Sequence, residues 1–218
     1  MTTHILFVGN SFVSRNDVPG LVRDLAASAG RKAETAAIVA GGASLRRHLN
    51  SGAVAAALEQ RAWRYVVLQE QSTLPIKNRL RYHENVRAMH TLVAYAGAAT
   101  VLYMTWARRS AAASQVALTE AVQAIGDEVG SLVAPAGIAW QQVLSAHPEI
   151  DLHAADGSHP TLAGSFLAAC VLYGTLFQDR ALSTVTRDSF KISHEVLDVL
   201  LEAARTALGL EATRRRIS

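Results

Sequence analysis

Short apolar runs alternate with longer stretches of mixed polarity from one end of the chain to the other. The runs at 4–9, 34–39, 65–70, 99–105 and 131–135 are rich in aliphatic and β-branched residues and too short for stable helices, so they predict strands. Between them apolar positions recur at helical spacing, predicting helices at 52–62, 80–96, 113–129, 137–146, 160–177 and 191–208. A first helix follows Asp17, which is placed to cap it. Pro19 suits its first turn, Val18, Leu21, Val22, Leu25, Ala26 and Ala29 repeat along it, and Gly30 ends it. Strand and helix alternation of this kind predicts an α/β fold whose parallel strands are covered by helices on both faces. Five such strands suggest a flavodoxin-like, three-layer α/β/α arrangement in the order 2-1-3-4-5, with a ligand site beyond the carboxyl ends of the strands. The loops at 9–17, 40–45, 69–78 and 105–112 should converge there.

Length and composition narrow this picture. The chain has 218 residues, 50% hydrophobic and 18% charged, which suits a single domain over 1–218 with a continuous core. Arg214, Arg215 and Arg216 read as a solvated basic tail from about residue 211. No apolar run reaches the roughly 18 residues of a membrane span, and Met1-Thr2-Thr3-His4 has no export-signal character, so a cytoplasmic protein without a membrane partner is expected. One cysteine, Cys170, precludes an intramolecular disulfide and sits in an apolar helical run as a packing residue. With a net charge of only +3 and scattered aromatics at 6%, no nucleic-acid face is expected. The phosphate-loop and dinucleotide fingerprints are absent, no histidine pair has metal-ligand spacing, and neither cofactor nor metal is called for. His83 and His90 read as a polar stripe on one helix, and His48 as a solvent-facing position.

Two segments carry candidate chemistry. Strand one ends in Gly9-Asn10-Ser11-Phe12, which puts a hydroxyl just past the strand; Ser11 alone reads equally as a turn residue. Near the other end, Asp156-Gly157-Ser158-His159-Pro160 precedes a long helical pattern. An Asp and a His three apart can meet on a turn, and Pro160 holds His159 extended while starting the helix; on its own the segment reads equally as a helix cap beside a surface histidine.

Together, serine first and Asp-x-x-His last, the two segments resemble the SGNH/GDSL hydrolase superfamily, and the intervening alternation matches that family's fold over nearly the whole chain. The resemblance implies that Ser11 attacks an acyl carbonyl, that His159 removes its proton, and that Asp156 fixes the imidazole. It also implies an oxyanion site. Ser11 itself, Gly42 in Ala40-Gly41-Gly42-Ala43-Ser44 (Gly41 being the near alternative) and Gln71 are the candidate donors. Gln71 lies in Gln69-Glu70-Gln71-Ser72, where the family more often has Gly-x-Asn. This departure leaves Gln69 open as the donor, while Glu70 should organise the loop by hydrogen bonds. Asn10, Gln69, Trp106 and Arg108 are candidate substrate contacts, with Trp106 equally readable as packing and Arg46, Arg47 and Arg109 close by.

The expected activity is hydrolysis of a carboxylic ester, an O-acetyl or short acyl group on a polar or carbohydrate-like carrier, through an acyl-serine intermediate. A small-molecule ester would be the partner. A flavodoxin-like module for a phosphate-bearing ligand, and a silent relative whose altered third block disables the oxyanion site, remain open alternatives.

Overall fold

The computed structural model describes residues 1–182 and 190–217. Five strands, β1 (Thr3–Gly9), β2 (Ala33–Val39), β3 (Tyr65–Leu68), β4 (Ala99–Tyr103) and β5 (Leu132–Ala134), form one parallel sheet in the order β2-β1-β3-β4-β5. The order is the one expected. Among the described residues ten α-helices accompany it: α1 (Ser11–Ser14), α2 (Val18–Ser28), α3 (Leu45–Ser51), α4 (Ala53–Gln60), α5 (Leu74–Lys77), α6 (Arg79–Tyr95), α7 (Gln115–Glu128), α8 (Ala136–Ala146), α9 (Leu162–Phe177) and α10 (His194–Ile217).

Alternation along β1 divides the core. Ile5 and Phe7 face the cluster built with α2, α8, α9 and α10, while Leu6 and Val8 face the one built with α3, α4, α6 and α7. Helix α9 is apolar on every side and is covered by α2, α8 and α10. Cys170 lies fully buried in it, and that burial pushes its thiol pKa up, consistent with a packing role.

Several local expectations are corrected. β2 is not buried on both faces: it is an edge strand with half its residues in solvent, and Glu34 on it pairs with Arg61. The first helix begins where expected, with Asp17 accepting from the Gly20 N–H. The helix after His159 starts later than Pro160, because Thr161 caps it through the Gly164 N–H while Pro160 bridges to His153. The basic C-terminus is no solvated tail. Helix α10 continues through it, Arg214 pairs with Asp127 and Glu211, and Arg215 reaches Glu211 and the Ser131 carbonyl. Among the described residues, no helix is long and apolar enough to cross a membrane.

The packing between α8 and α9 is tight at Gly164, where an added Cβ would meet the Trp140 ring and lie 2.6 Å from the Leu152 carbonyl oxygen. Gly164→Ala should therefore destabilise the protein by about 1–3 kcal/mol through overpacking. For a chain of this size that lowers Tm by about 2–4 °C per kcal/mol; an unchanged Tm in a thermal melt would contradict the packing described.

Candidate active site

The site begins at the end of β1, between the strands that leave in opposite directions along the sheet, where a crevice opens in a doubly wound fold. Gly9 closes the strand because Gln69 passes close beside it: a Cβ at Gly9 would lie 2.6 Å from Gln69 Oε1. That oxygen accepts the Asn10 N–H at 2.9 Å, and the Gln69 amide donates to the Glu70 carbonyl. Asn10 in turn accepts from the Phe12 N–H through Oδ1 and donates from Nδ2 to the Ala43 carbonyl. The turn is thus braced from both sides, and Ser11 leaves it as the first residue of α1, where a helix N–H has no intrahelical partner.

Ser11 Oγ lies 2.8 Å from His159 Nε2, and His159 Nδ1 lies 2.5 Å from Asp156 Oδ2. The other carboxylate oxygen, Oδ1, accepts the backbone N–H groups of Ser158 and His159, both at 2.9 Å. These bonds, the one to the His159 side chain foremost, hold the Asp156 carboxyl well below the usual carboxylate range. An ionised carboxylate can only accept, so the imidazole proton sits on Nδ1. In the neutral ring Nε2 is then the acceptor, and the Ser11 hydroxyl donates to it. This geometry can raise the nucleophilicity of a serine.

The loop bearing Asp156 and His159 is itself fastened. His153 and Pro160 bridge its ends, and the Ala154 N–H meets the His159 carbonyl at 2.8 Å. Trp106 donates its indole N–H to the Ser158 carbonyl at 3.1 Å, and the Arg109 N–H meets the Gly157 carbonyl at 2.8 Å. On the nucleophile side, Asn16 donates its amide to the Thr161 carbonyl at 3.1 Å and to Ser165 Oγ at 2.9 Å. Asn16 has φ 57°, a left-handed conformation that asparagine tolerates better than most residues.

The candidate contacts divide. Gln71 accepts from Thr73 N–H and Thr73 Oγ1 through Oε1, both at 2.9 Å, which leaves its amide N–H groups without a partner among the described residues. Gly42, at φ 61°, and Gly41 lie exposed in the turn after β2, and their N–H groups make no backbone bond among the described residues. Gln69 and Asn10 are corrected. Both are buried with each end of the amide bonded to backbone, so they brace the turn rather than stand open to a substrate. Trp106 is no open platform either: it is 2% exposed and stacks on Trp140 at 3.6 Å. Its edge lines a hollow of about 200 Å³, with Arg108 exposed beside it. Neither this hollow nor the two larger ones beside α8, of about 580 and 570 Å³, has Ser11 or His159 among its walls; the smaller one meets the site through Trp106.

Sequence reasoning missed other parts. His48 is buried, not solvent-facing, and its Nε2 donates to the Gly9 carbonyl at 2.8 Å. His83 and His90 are not a free polar stripe, since they bond to the Ala121 carbonyl and to Thr100 Oγ1. His153 is buried against the edge of Trp140 and bonds to the Ala107 carbonyl; that burial lowers its pKa. Glu70 organises two loops at once. One oxygen accepts the Leu45 and Gln71 N–H groups, and the other accepts Asn85 Nδ2, whose own oxygen accepts from Arg46. Burial raises the Glu70 pKa, against those hydrogen bonds and the charge of Arg46, which lower it.

No family model matches the chain, and no curated protein matches it. Solved structures do. The chain is similar to a protein from Slackia heliotrinireducens described as an SGNH hydrolase, with 31% identity over 81% of this chain and 100% of that one and a TM-score of 0.69. It is also similar to a DUF4886 family protein from Bacteroides uniformis (20% identity, 95% of both chains, TM-score 0.80). A third similar structure is an acetyl-xylooligosaccharide esterase from Geobacillus (16% identity, 80% of this chain and 94% of that one, TM-score 0.62). At the last two identities the likeness is one of fold.

Removing Glu70 should show what it holds. Glu70→Ala leaves three donors unpaired, two of them buried, and should cost on the order of 3 kcal/mol in a denaturant titration, whereas Glu70→Gln retains an acceptor and should cost less. A Glu whose folded pKa is raised loses stability as pH rises from its ordinary value of 4.5 towards that raised pKa. The stability of wild type relative to Glu70→Gln should therefore fall through that window; a constant difference across pH would contradict the burial described.

Proposed function

Because the chain belongs to the SGNH hydrolase family, we propose that it is a serine esterase in which Ser11 is the nucleophile, His159 the general base and Asp156 its orienting partner. The observation that carries this reading is the continuous contact from Ser11 Oγ through the imidazole to Asp156, at 2.8 and 2.5 Å. As Ser11 Oγ attacks the ester carbonyl, its proton passes to His159 Nε2, and Asp156 stabilises the imidazolium that forms. The carbonyl oxygen becomes an oxyanion, received by the N–H groups of Ser11 and Gly42 and by the Gln71 amide. Collapse of the tetrahedral intermediate expels the alcohol, protonated by His159. A water activated by the same imidazole then releases the acid from the acyl-serine.

The free Gln71 amide supports glutamine in place of the family's usual asparagine, and favours an active enzyme over a silent relative. A phosphate-binding module gains no support, since the Ser11 hydroxyl is directed to an imidazole. The hollow beside Trp106 is small, which favours an acetyl or short acyl ester on a polar or carbohydrate-like carrier over a long lipid. The single, buried cysteine suits a reducing compartment such as the cytoplasm.

The test is turnover of para-nitrophenyl acetate. Ser11→Ala and His159→Ala should each lower kcat by about 1,000-fold or more, with Tm close to wild type. Gln71→Ala should lower kcat by about 100-fold with little change in KM, as loss of one oxyanion donor does. Undiminished turnover in Ser11→Ala would end the serine-esterase reading; undiminished turnover in Gln71→Ala alone would end only the donor assignment.

A further inference from the structure

The charge around the crevice is one-sided. Between Gly41 and Tyr82 the only acids are Glu59 and Glu70, and between Thr105 and Thr119 there are none. Glu70 is buried, and Glu59 sits at the end of α4, which runs down to the opposite edge of the sheet before β3 begins. The same segments carry Arg46, Arg47, Lys77, Arg79, Arg81, Arg108 and Arg109, on the loops and helix starts that follow β2, β3 and β4. Of these, Arg109 pairs with Asp151, and Arg46 donates to Asn85. Glu84 stands near Arg46 and Arg81, and Asp156 is bonded to His159. Elsewhere on the surface cations find matching acids, as Arg61 does with Glu34 and Arg87 with Glu128.

Two of the crevice cations frame the hollow of about 200 Å³. Its lining is mainly apolar: Trp106, Ala107 and Ser72 are its buried members, and Ile76, Ala111, Lys77 and Arg108 its exposed ones. Neither Lys77 nor Arg108 has a carboxylate partner among the described residues. The hollow adjoins the triad through Trp106, whose indole N–H holds the residue before His159 and whose ring lies 5.0 Å from that of Phe12, the neighbour of Ser11. Ser72 directly follows Gln71. A neutral acyl group would leave two unmatched cations at the mouth of an apolar slot.

We infer that the ester cleaved here bears an anionic group, a carboxylate, phosphate or sulfate a short apolar distance from the scissile bond, and that Lys77 and Arg108 receive it. This rests on the serine-esterase reading and specifies its substrate. Guanidinium and ammonium groups at a low-dielectric wall attract such a group, and the wider cationic rim draws it in from solution. Exposed charges are screened by salt, so the preference must weaken as ionic strength rises.

The experiment compares matched ester pairs. In one pair the charge is on the leaving group, para-acetoxybenzoate against its methyl ester. In the other it is on the acyl group, the mono-para-nitrophenyl ester of adipic acid against para-nitrophenyl hexanoate. The pair that discriminates shows which part of the substrate meets the rim. The expected result is a kcat/KM ratio favouring the anion by about tenfold in at least one pair at low salt, shrinking at high salt. It should collapse to about one or invert in Lys77→Glu/Arg108→Glu. The control Arg31→Glu/Lys32→Glu changes net charge equally at the amino edge of β2 and should keep the wild-type ratio. Equal kcat/KM within both pairs, or a ratio that falls as much in the control as in the rim variant, would overturn this inference while leaving the esterase reading in place. Failure to turn over any of the four esters, together with no phosphonate labelling of the folded protein, would overturn the esterase reading itself.

Discussion

A buried amide at the end of β3 sets the geometry on which the rest depends. Gln69 has no exposure, and its oxygen accepts the Asn10 N–H where β1 turns into α1. A parallel strand pair has no hairpin to fix how its chain leaves the sheet, so the departing backbone must find other partners or remain unsatisfied in the interior. Gln69 supplies one at the switch point, and Glu70, next in sequence, supplies two more to the backbone after β2 and β3 and ties them to Asn85 on α6. Such a network repays burial only when it is complete. In this one every amide and carboxylate end on Asn10, Gln69 and Glu70 has a partner.

That bracing is what lets a short, partly exposed triad hold its shape. Asp156 and His159 sit on a loop with little core of its own, fastened by the His153 to Pro160 bridge, the Trp106 indole, the Arg109 N–H and the Asn16 amide. Catalysis by a serine and a histidine depends on sub-ångström placement more than on the strength of any single contact. The stacked pair of Trp106 and Trp140 links this loop to α8, so core packing and the position of the imidazole are coupled.

Much of this was legible from the residues. Aliphatic runs flanked by helical spacing located all five strands within a few residues, because a strand covered on both faces must be apolar throughout. β2 was over-read for the same reason: Ala and Ile suit an edge as well as a centre. That Ser11, His159 and Asp156 would come together was legible because two of them are local in sequence and the third ends the first strand; the structure brings the three side chains into contact. The division of labour between Gln69 and Gln71 was not. Both are amides just past β3 and two residues apart, a spacing that a continued strand would put on one face; the chain turns there instead, so that Gln69 accepts from Asn10 while Gln71 accepts from Thr73. His48 was misjudged, since helical spacing does not say which carbonyl lies across the interface, and of the two readings of Trp106 the structure shows the packing one. Asn16 left a fainter mark, an Asn-Asp pair just ahead of a proline-containing first turn, suited to the two left-handed residues observed there.

The central claim is that Ser11 is the one activated nucleophile of this chain. Its most direct measurement is peptide mapping by mass spectrometry after exposure to a fluorophosphonate, in wild type and in a folded His159→Ala variant. The account predicts one adduct per chain, on the peptide carrying Ser11, and little or none in the variant. An adduct on another residue, or equal labelling of Ser11 without the histidine, would contradict it.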